Sequence, residues 1–275
     1  MTVAEAIRRA AGRLAATSET ARLDAEWLMA HALQTNRSDM LLHRMGHSAP
    51  AGFAGLVDRR AAHEPLAYIT GYTEFFGHRF SVDRRVLIPR SDSETVVEAA
   101  LERVGEESTG RVLDLGTGSG ALLLTVLAER PGMEGIGLDA SEAALQVARD
   151  NAGRLDCSAR ARFAIRDWRE RQWAADLGTF DIVLCNPPYV ETQAVLDPDV
   201  REYEPHEALF AGPDGLDDYR RVIPALASLL AARGAAVLEI GSRQGAAVAR
   251  LGKVAGFLVE IRKDLAGRPR AAILE

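Results

Sequence analysis

Residues 112–122 read VLDLGTGSGAL, an apolar run that leads directly into a turn with three glycines. Glycine lets a backbone turn sharply and approach a ligand closely because it has no Cβ. We expect the turn to join a buried strand to a helix whose first amide groups face a crevice. The G-x-G-x-G spacing differs from the G-x-G-x-x-G of dinucleotide enzymes, and no Lys-Ser/Thr pair follows as in a P-loop. The stretch therefore predicts a nucleoside site in an α/β sheet.

Strand-like and helix-like stretches alternate through the rest of the chain. The apolar runs of strand type are RVLDL, GIGLD, RFAI, FDIVLC, AAVLEI, FLVEI and AAILE. The longest helical stretch between them is DDYRRVIPALASLLAARG, at 217–234. This alternation predicts an α/β fold with a doubly wound, mostly parallel seven-stranded sheet. Because two runs follow the last helix, we expect an antiparallel strand at the edge of the sheet.

The part of the chain before this sheet is predicted to be helical. Val3, Ile7 and Leu14 recur at helical spacing, and a further helix is expected from Ser38, with Met40, Leu41 and Leu42 facing inward. The pattern is typical of a small bundle of helices.

The chain is therefore expected to have three regions. Residues 1–70 form the helical bundle, residues 71–90 form a β-hairpin linker, and residues 91–275 form the α/β domain. The hairpin is predicted from TEFF, a turn at Gly77-His78, and RFSV.

Composition indicates an ordered globular protein with 47% hydrophobic residues and a net charge of -6. No apolar stretch approaches the ~20 residues that span a bilayer, and the N-terminus lacks the apolar core of a secretory signal, so we expect a cytoplasmic protein. The acidic balance argues against a stable complex with nucleic acid. The two cysteines, Cys157 and Cys185, have no metal-ligand spacing, and no metal site is expected.

An acidic residue, Asp139, ends the strand-like run GIGLD. A carboxylate at this position can accept hydrogen bonds from both hydroxyls of a ribose. Dinucleotides and S-adenosylmethionine both contain a ribose, so Asp139 alone does not distinguish them. Together with the glycine spacing, it favours S-adenosylmethionine as the cofactor.

The tetrapeptide Asn186-Pro187-Pro188-Tyr189 follows the fourth strand-like run, FDIVLC. Proline has a fixed φ and no N–H, so the two prolines hold the backbone rigid. The Asn186 side-chain oxygen and the Pro187 carbonyl can accept the two hydrogens of a nitrogen nucleophile. Tyr189 can offer an aromatic face to a planar substrate. The motif predicts methyl transfer to a planar amide or amino nitrogen, with positioning as the main source of catalysis.

This local chemistry leaves several acceptors open. Adenine N6 in DNA, guanine N2 in RNA and the side-chain amide of a glutamine, including one in a ribosomal protein, all present a planar nitrogen with two hydrogens. A non-catalytic nucleoside-binding or ribosome-associated adaptor is a different class of hypothesis, which predicts cofactor binding without methyl transfer.

The motifs resemble, in order and over almost the whole chain, the HemK-type family of glutamine N5-methyltransferases that modify translation release factors. The matching segments are PLAYITGYTEFFGHRFSVDRRVLIPR, DLGTGSG, LDAS, RDW, NPPYV, YEPHEALFAGPDGLDDYRR and DLAGRPR. The resemblance implies that the acceptor is the glutamine of a Gly-Gly-Gln loop in a peptide chain release factor. It also implies that the helical region helps to bind that protein, and a monomer is expected because the substrate is itself large.

Residue roles follow from the same resemblance. The cofactor-binding residues would be Gly116, Thr117, Gly118, Ser119, Gly120, Asp139, Trp168 and Asn186. The substrate-binding residues would be Asn186, Pro187, Pro188 and Tyr189, of which Asn186, Pro187 and Tyr189 are the catalytic candidates. The chain departs from the family at 91–94, where it reads SDSE and the family more often has Pro-Glu-Thr-Glu.

Overall fold

The computed structural model describes all of residues 1–275, which divide into two compact units. The helical unit comprises Met1–Tyr72 and Leu196–Glu204, and the sheet unit comprises Thr73–Val195 and Pro205–Glu275. The N-terminal unit therefore includes a segment from much later in the chain. No helix in either unit is long and apolar enough to cross a membrane.

Six helices make up the helical unit. They are α1 (Val3–Leu14), α2 (Ala21–Ala32), α3 (Arg37–Asp39), α4 (Phe53–Ala61), α5 (Leu66–Thr70) and, from the later segment, α9 (Pro198–Tyr203). A capping box starts α1, because Thr2 and Glu5 each accept a hydrogen bond from the other's backbone amide. Leu14 and Leu28 are completely buried between these helices, which gives the unit its own core.

The helix expected from Ser38 differs from its prediction. Asn36 caps it by accepting a hydrogen bond from the Asp39 amide at 2.7 Å, and a π-helical turn at Met40–Arg44 follows α3. Met40 is fully buried, but Leu42 is 75% exposed, so the prediction that Leu42 faces inward is wrong. Successive helical residues are about 100° apart, so three in a row cannot all face one side.

The predicted hairpin follows the helical region along the chain and precedes the strands of the large sheet. Its strands are β1 (Tyr72–Phe75) and β2 (His78–Ser81). The turn lies one residue earlier than predicted, because His78 already belongs to β2. Phe76 and Gly77 form it with φ of 50° and 74°, the left-handed values that a two-residue hairpin turn requires. The Phe76 amide donates to the Glu94 carboxylate at 2.9 Å, which ties the turn to the next helix.

A seven-stranded sheet forms the centre of the sheet unit, and the predicted fold class is confirmed. Its strands are β3 (Gly110–Leu115), β4 (Met133–Asp139), β5 (Ala161–Ile165), β6 (Phe180–Cys185), β7 (Leu230–Glu239), β8 (Val259–Lys263) and β9 (Pro269–Leu274). Their order across the sheet is β5-β4-β3-β6-β7-β9-β8, and all neighbouring pairs from β5 to β7 are parallel.

Helices cover both faces of this sheet. They are α6 (Glu94–Arg103), α7 (Ala121–Glu129), α8 (Glu142–Arg154), α10 (Asp217–Val222), α11 (Leu226–Leu229) and α12 (Gly245–Val254). Along β6, Ile182 and Leu184 pack with residues of α6 and α7, whereas Val183 and Cys185 pack with residues of α10 and α11. Burial on both faces explains why the central strands are almost uniformly apolar.

Two details of the sheet prediction are wrong. The antiparallel strand is not at the edge, because β9 pairs with both β7 and β8 and leaves β8 outermost. Burial follows this order: residues 271–274 are at most 1% exposed, whereas β8 is only half-buried. The helix expected over 217–234 ends at Leu229, since Pro224 interrupts it and Leu230 already pairs with Phe180 in the sheet.

Candidate active site

A cavity of about 420 Å³ opens at the carboxyl ends of the central parallel strands in the sheet unit. Sequence-predicted site residues that line it are Gly116, Thr117, Gly118, Ser119, Asp139, Trp168, Asn186 and Pro188. They follow four different strands and meet because the carboxyl ends of parallel strands lie at one edge of a sheet. Gly120, Pro187 and Tyr189 are not part of this lining. The volume is within the range of small-molecule sites.

The glycine turn after β3 needs its glycines for conformation and for space. Gly116, Gly118 and Gly120 have φ of 70°, 54° and 81°, a region that favours glycine. A Cβ on Gly116 would lie 2.9 Å from the Trp168 ring, and one on Gly120 would lie 2.8 Å from a Leu124 methyl. Gly116 thus serves the cavity wall, and Gly120 serves the packing of α7 under it.

Asp139 joins the glycine turn to the end of β4. One carboxylate oxygen accepts a hydrogen bond from the Gly118 amide at 2.9 Å, and the other accepts one from the Ser141 amide at 2.9 Å. Burial raises the pKa of Asp139, and these backbone donors partly oppose the shift. Each oxygen keeps a second acceptor position. The side chain is therefore fixed while it can still accept bonds from a vicinal diol such as a ribose.

Asp114 is a second carboxyl group in the cavity wall, 1% exposed at the end of β3. One oxygen accepts a 2.6 Å hydrogen bond from the Thr117 hydroxyl, and the other has no partner. Burial raises the pKa of Asp114 from 3.8 to about 7, and the Asp139 carboxylate adds to the rise. Asp114 was not among the predicted site residues. Its signal in the sequence is a single acid inside an apolar strand.

Trp168 is held by two residues that sequence analysis missed. Its indole N–H donates to the Asp218 carboxylate at 2.8 Å, and Asp218 also accepts a bond from Arg221 at 3.0 Å. Asp218 is 6% exposed, and both residues line the cavity. The DDYRR segment places them at i and i+3 on α10, which was the signal in the sequence. The Trp168 ring therefore lies at a fixed angle against Gly116.

The residues of the NPPY motif face different sides. Asn186 and Pro188 line the cavity, and the Asn186 side chain makes no hydrogen bond to another residue. Tyr189 instead donates its hydroxyl to the Glu239 carboxylate at 3.2 Å, behind the lining. The role of Tyr189 as an aromatic face for the substrate stays a prediction. The Asn186 amide is the motif's polar group that is directed to the cavity and available to a ligand.

The lining fits an adenosyl methyl donor. Asp139 provides the acceptors for a ribose, and Trp168 provides a flat apolar surface next to the glycine turn. Asp114 and Asp139 also place two carboxyl groups beside that turn, a setting suited to a cationic ligand such as a sulfonium. Further segments that sequence analysis did not assign to the site contribute Val86, Leu87, Pro89, Pro205, Glu207, Ala208 and Phe210.

Known protein families match two parts of the chain. The PrmC N-terminal domain family matches residues 5–71, and a methyltransferase domain family matches residues 106–214. The release factor glutamine methyltransferase of Cereibacter sphaeroides is 42% identical over 98% of this chain and 97% of its own length. That of Moorella thermoacetica is also 42% identical, with the same coverage of both chains.

A solved structure supports the fold of the sheet unit. The crystal structure of a methyltransferase from Pyrococcus furiosus aligns with a TM-score of 0.53 and 16% identity, over 72% of this chain and 89% of that one. The resemblance drawn from the motifs is confirmed by the full-length relatives. The chain belongs to the release factor glutamine methyltransferase family.

Proposed function

We propose that this protein transfers a methyl group from S-adenosylmethionine to the side-chain N5 of the glutamine in the Gly-Gly-Gln motif of peptide chain release factors. The observation that carries the proposal is 42% identity to a release factor glutamine methyltransferase over 98% of the chain. That similarity includes the helical region, which matches a family domain of its own at 5–71. The common methyltransferase fold alone would not distinguish this acceptor from a nucleic-acid base.

Different residues of the site would bind the methyl donor and the substrate glutamine. S-adenosylmethionine supplies an activated methyl group and leaves as S-adenosylhomocysteine. Asp139 would accept hydrogen bonds from the ribose, and Trp168, which lines the cavity next to the glycine turn, would flank the adenine. The Asn186 side-chain oxygen, which has no partner in the protein, would accept a hydrogen bond from the glutamine amide. The Pro187 carbonyl, which is outside the cavity lining, is expected to accept a second hydrogen bond from the same amide, so that the two bonds together orient the nitrogen.

Residues 1–70 bind the release factor, residues 71–90 link the two parts, and residues 91–275 carry out the transfer. We expect the enzyme to act as a monomer in the cytoplasm, without a membrane or a stably bound nucleic acid. Sedimentation of the protein with and without a release factor tests whether it is a monomer. We expect a monomer alone and a one-to-one complex with the release factor, and a dimer of this chain in both samples would contradict this expectation.

The test of the function is an acceptor assay with labelled S-adenosylmethionine. The protein is incubated with a release factor, with the same factor carrying alanine at the Gly-Gly-Gln glutamine, with total RNA, with DNA, and with ribosomal proteins. Label on the unaltered factor alone, mapped by peptide mass analysis to the glutamine, is the expected result. Label on nucleic acid or on a ribosomal protein, with none on the release factor, would overturn the proposed acceptor.

A further inference from the structure

Two side chains outside the cavity lining hold Tyr189 at opposite ends. Glu239, the last residue of β7, accepts a hydrogen bond from the Tyr189 hydroxyl at 3.2 Å. Gln244, which precedes α12, donates a hydrogen bond from its side-chain amide to the Tyr189 carbonyl oxygen at 3.0 Å. Both residues belong to the segment LEIGSRQG at 238–245. One short stretch of sequence therefore fixes both the ring and the backbone of the last residue in NPPY.

The carboxyl group of Glu239 is buried. It is 1% exposed, and burial raises its pKa while Ser93 and Arg270 oppose the rise. Burying a carboxyl group is costly, and an apolar side chain of similar size would fill the same space more favourably. In addition to the interactions with Ser93 and Arg270, the carboxylate accepts a hydrogen bond from the Tyr189 hydroxyl. A role in fixing the Tyr189 hydroxyl would explain why a carboxyl group is buried at this position despite that free-energy cost.

Gln244 makes a similarly specific set of contacts. Its amide nitrogen also donates to the Gly215 carbonyl at 3.1 Å, and its oxygen accepts a bond from the Gly241 amide at 3.0 Å. Gly215 has φ of 67°, and a Cβ there would lie 2.3 Å from the Tyr189 carbonyl oxygen. The backbone of Tyr189 is thus fixed between a side chain and a glycine that approaches closely.

The two prolines make this anchoring relevant to Asn186. The proline rings fix φ at Pro187 and Pro188, so fewer backbone rotations can absorb a displacement of Tyr189. Such a displacement is therefore expected to move the Asn186 side chain and the Pro187 carbonyl as well. A shift of about 1 Å in a positioning group can lower a rate roughly 100-fold.

We propose that Glu239 and Gln244 are positioning residues for methyl transfer, acting through Tyr189 on the acceptor groups of Asn186 and Pro187. The inference rests on the proposed function, since it concerns the orientation of the glutamine amide. It predicts an effect on turnover of the bound substrate with little effect on cofactor affinity. If Glu239 and Gln244 contributed only to stability, their substitution would lower the melting temperature and leave kcat unchanged.

The test compares kcat, the KM for the release factor, the Kd for S-adenosylmethionine and the melting temperature of full-length variants. Glu239→Leu removes the acceptor and should lower kcat about tenfold or more, whereas Glu239→Gln keeps an acceptor oxygen and should restore most of it. Tyr189→Phe should lower kcat by a similar factor, and adding it to Glu239→Leu should have no further effect. Gln244→Ala should also lower kcat. Matched exposed controls, Glu134→Leu and Gln146→Ala, should leave it unchanged.

The outcomes separate this inference from the proposed function. A wild-type protein that methylates no release factor overturns the proposed function and this inference with it. An active wild type with unchanged kcat in Glu239→Leu, or in both Tyr189→Phe and Gln244→Ala, overturns the inference alone. Full additivity of the Glu239 and Tyr189 effects would also overturn it, because residues acting through one hydrogen bond must be coupled.

Discussion

The buried carboxyl group of Asp114 makes a definite contribution to the pH dependence of stability. Burial raises its pKa from 3.8 to about 7, so the folded protein binds this proton more tightly than the unfolded chain does. Between these two values the folded state holds about one more proton, and stability therefore falls as pH rises. Above the folded pKa both states are ionised and the loss ends.

The size of the stability loss depends on the pH interval over which unfolding is measured. Each pH unit below the folded pKa is worth about 1.4 kcal/mol, so raising the pH from about 5.5 to about 7 should cost about 2 kcal/mol. Asp114→Asn removes the titration and should remove this part of the loss. The buried amide adds a cost of its own, but that cost is the same at both pH values and cancels in the comparison.

The assay is urea unfolding at about pH 5.5 and about pH 7.5, followed by tryptophan fluorescence. Replacing Trp27 by phenylalanine in both proteins leaves Trp168 and Trp173, which lie in the sheet unit, as the fluorophores. The unsubstituted Asp114 protein should lose about 2 kcal/mol more than Asp114→Asn over this range. An equal loss in the two proteins would refute the reasoning, because it would mean that Asp114 is already ionised at the lower pH.

Four further substitutions test the site and the helical core. Asn186→Ala should abolish methyl transfer and leave the Kd for S-adenosylmethionine within about tenfold, and near-normal turnover would exclude the proposed role. Asp139→Ala should weaken cofactor binding in titration calorimetry, where an unchanged Kd would remove it from the site. Gly116→Ala places a Cβ 2.9 Å from the Trp168 ring at φ of 70°, so cofactor affinity should fall about tenfold or more, and wild-type affinity would contradict this steric argument. Arg60→Met leaves a buried carboxylate without its 2.7 Å ion-pair partner and should cost about 3 kcal/mol in urea unfolding, whereas a change near zero would show that water replaces the arginine.

The repeated pattern of strand, turn and helix was enough to predict the fold class. All seven strand-like runs form strands. The central parallel strands are the clearest in sequence, because strands covered on both faces are apolar. The order of the last two strands could not be read in the same way. Both β8 and β9 have apolar runs, and what distinguishes the interior strand from the edge strand is burial by neighbours.

Site residues that belong to short sequence motifs were easier to predict than those that are held in place by contacts between distant segments. The glycine turn and Asp139 line the cavity together because their position after strands is visible in sequence. Asp218, which fixes Trp168, lies 50 residues away along the chain from its partner. Likewise, nothing local to NPPY indicates that Tyr189 donates to Glu239 behind the cavity. Such pairs form only when the topology brings distant segments together.

The helical unit has a consequence for how the protein folds during synthesis. Its segment Leu196–Glu204 is made only after most of the sheet unit, yet it belongs to the first compact unit. The Tyr203 hydroxyl donates to the Ala62 carbonyl at 2.7 Å and so closes a loop of 141 residues. Closing a loop of that length has an entropic cost, which contacts within the helical unit must offset. The N-terminal unit therefore reaches its complete form late, although domains commonly fold in order from the N-terminus.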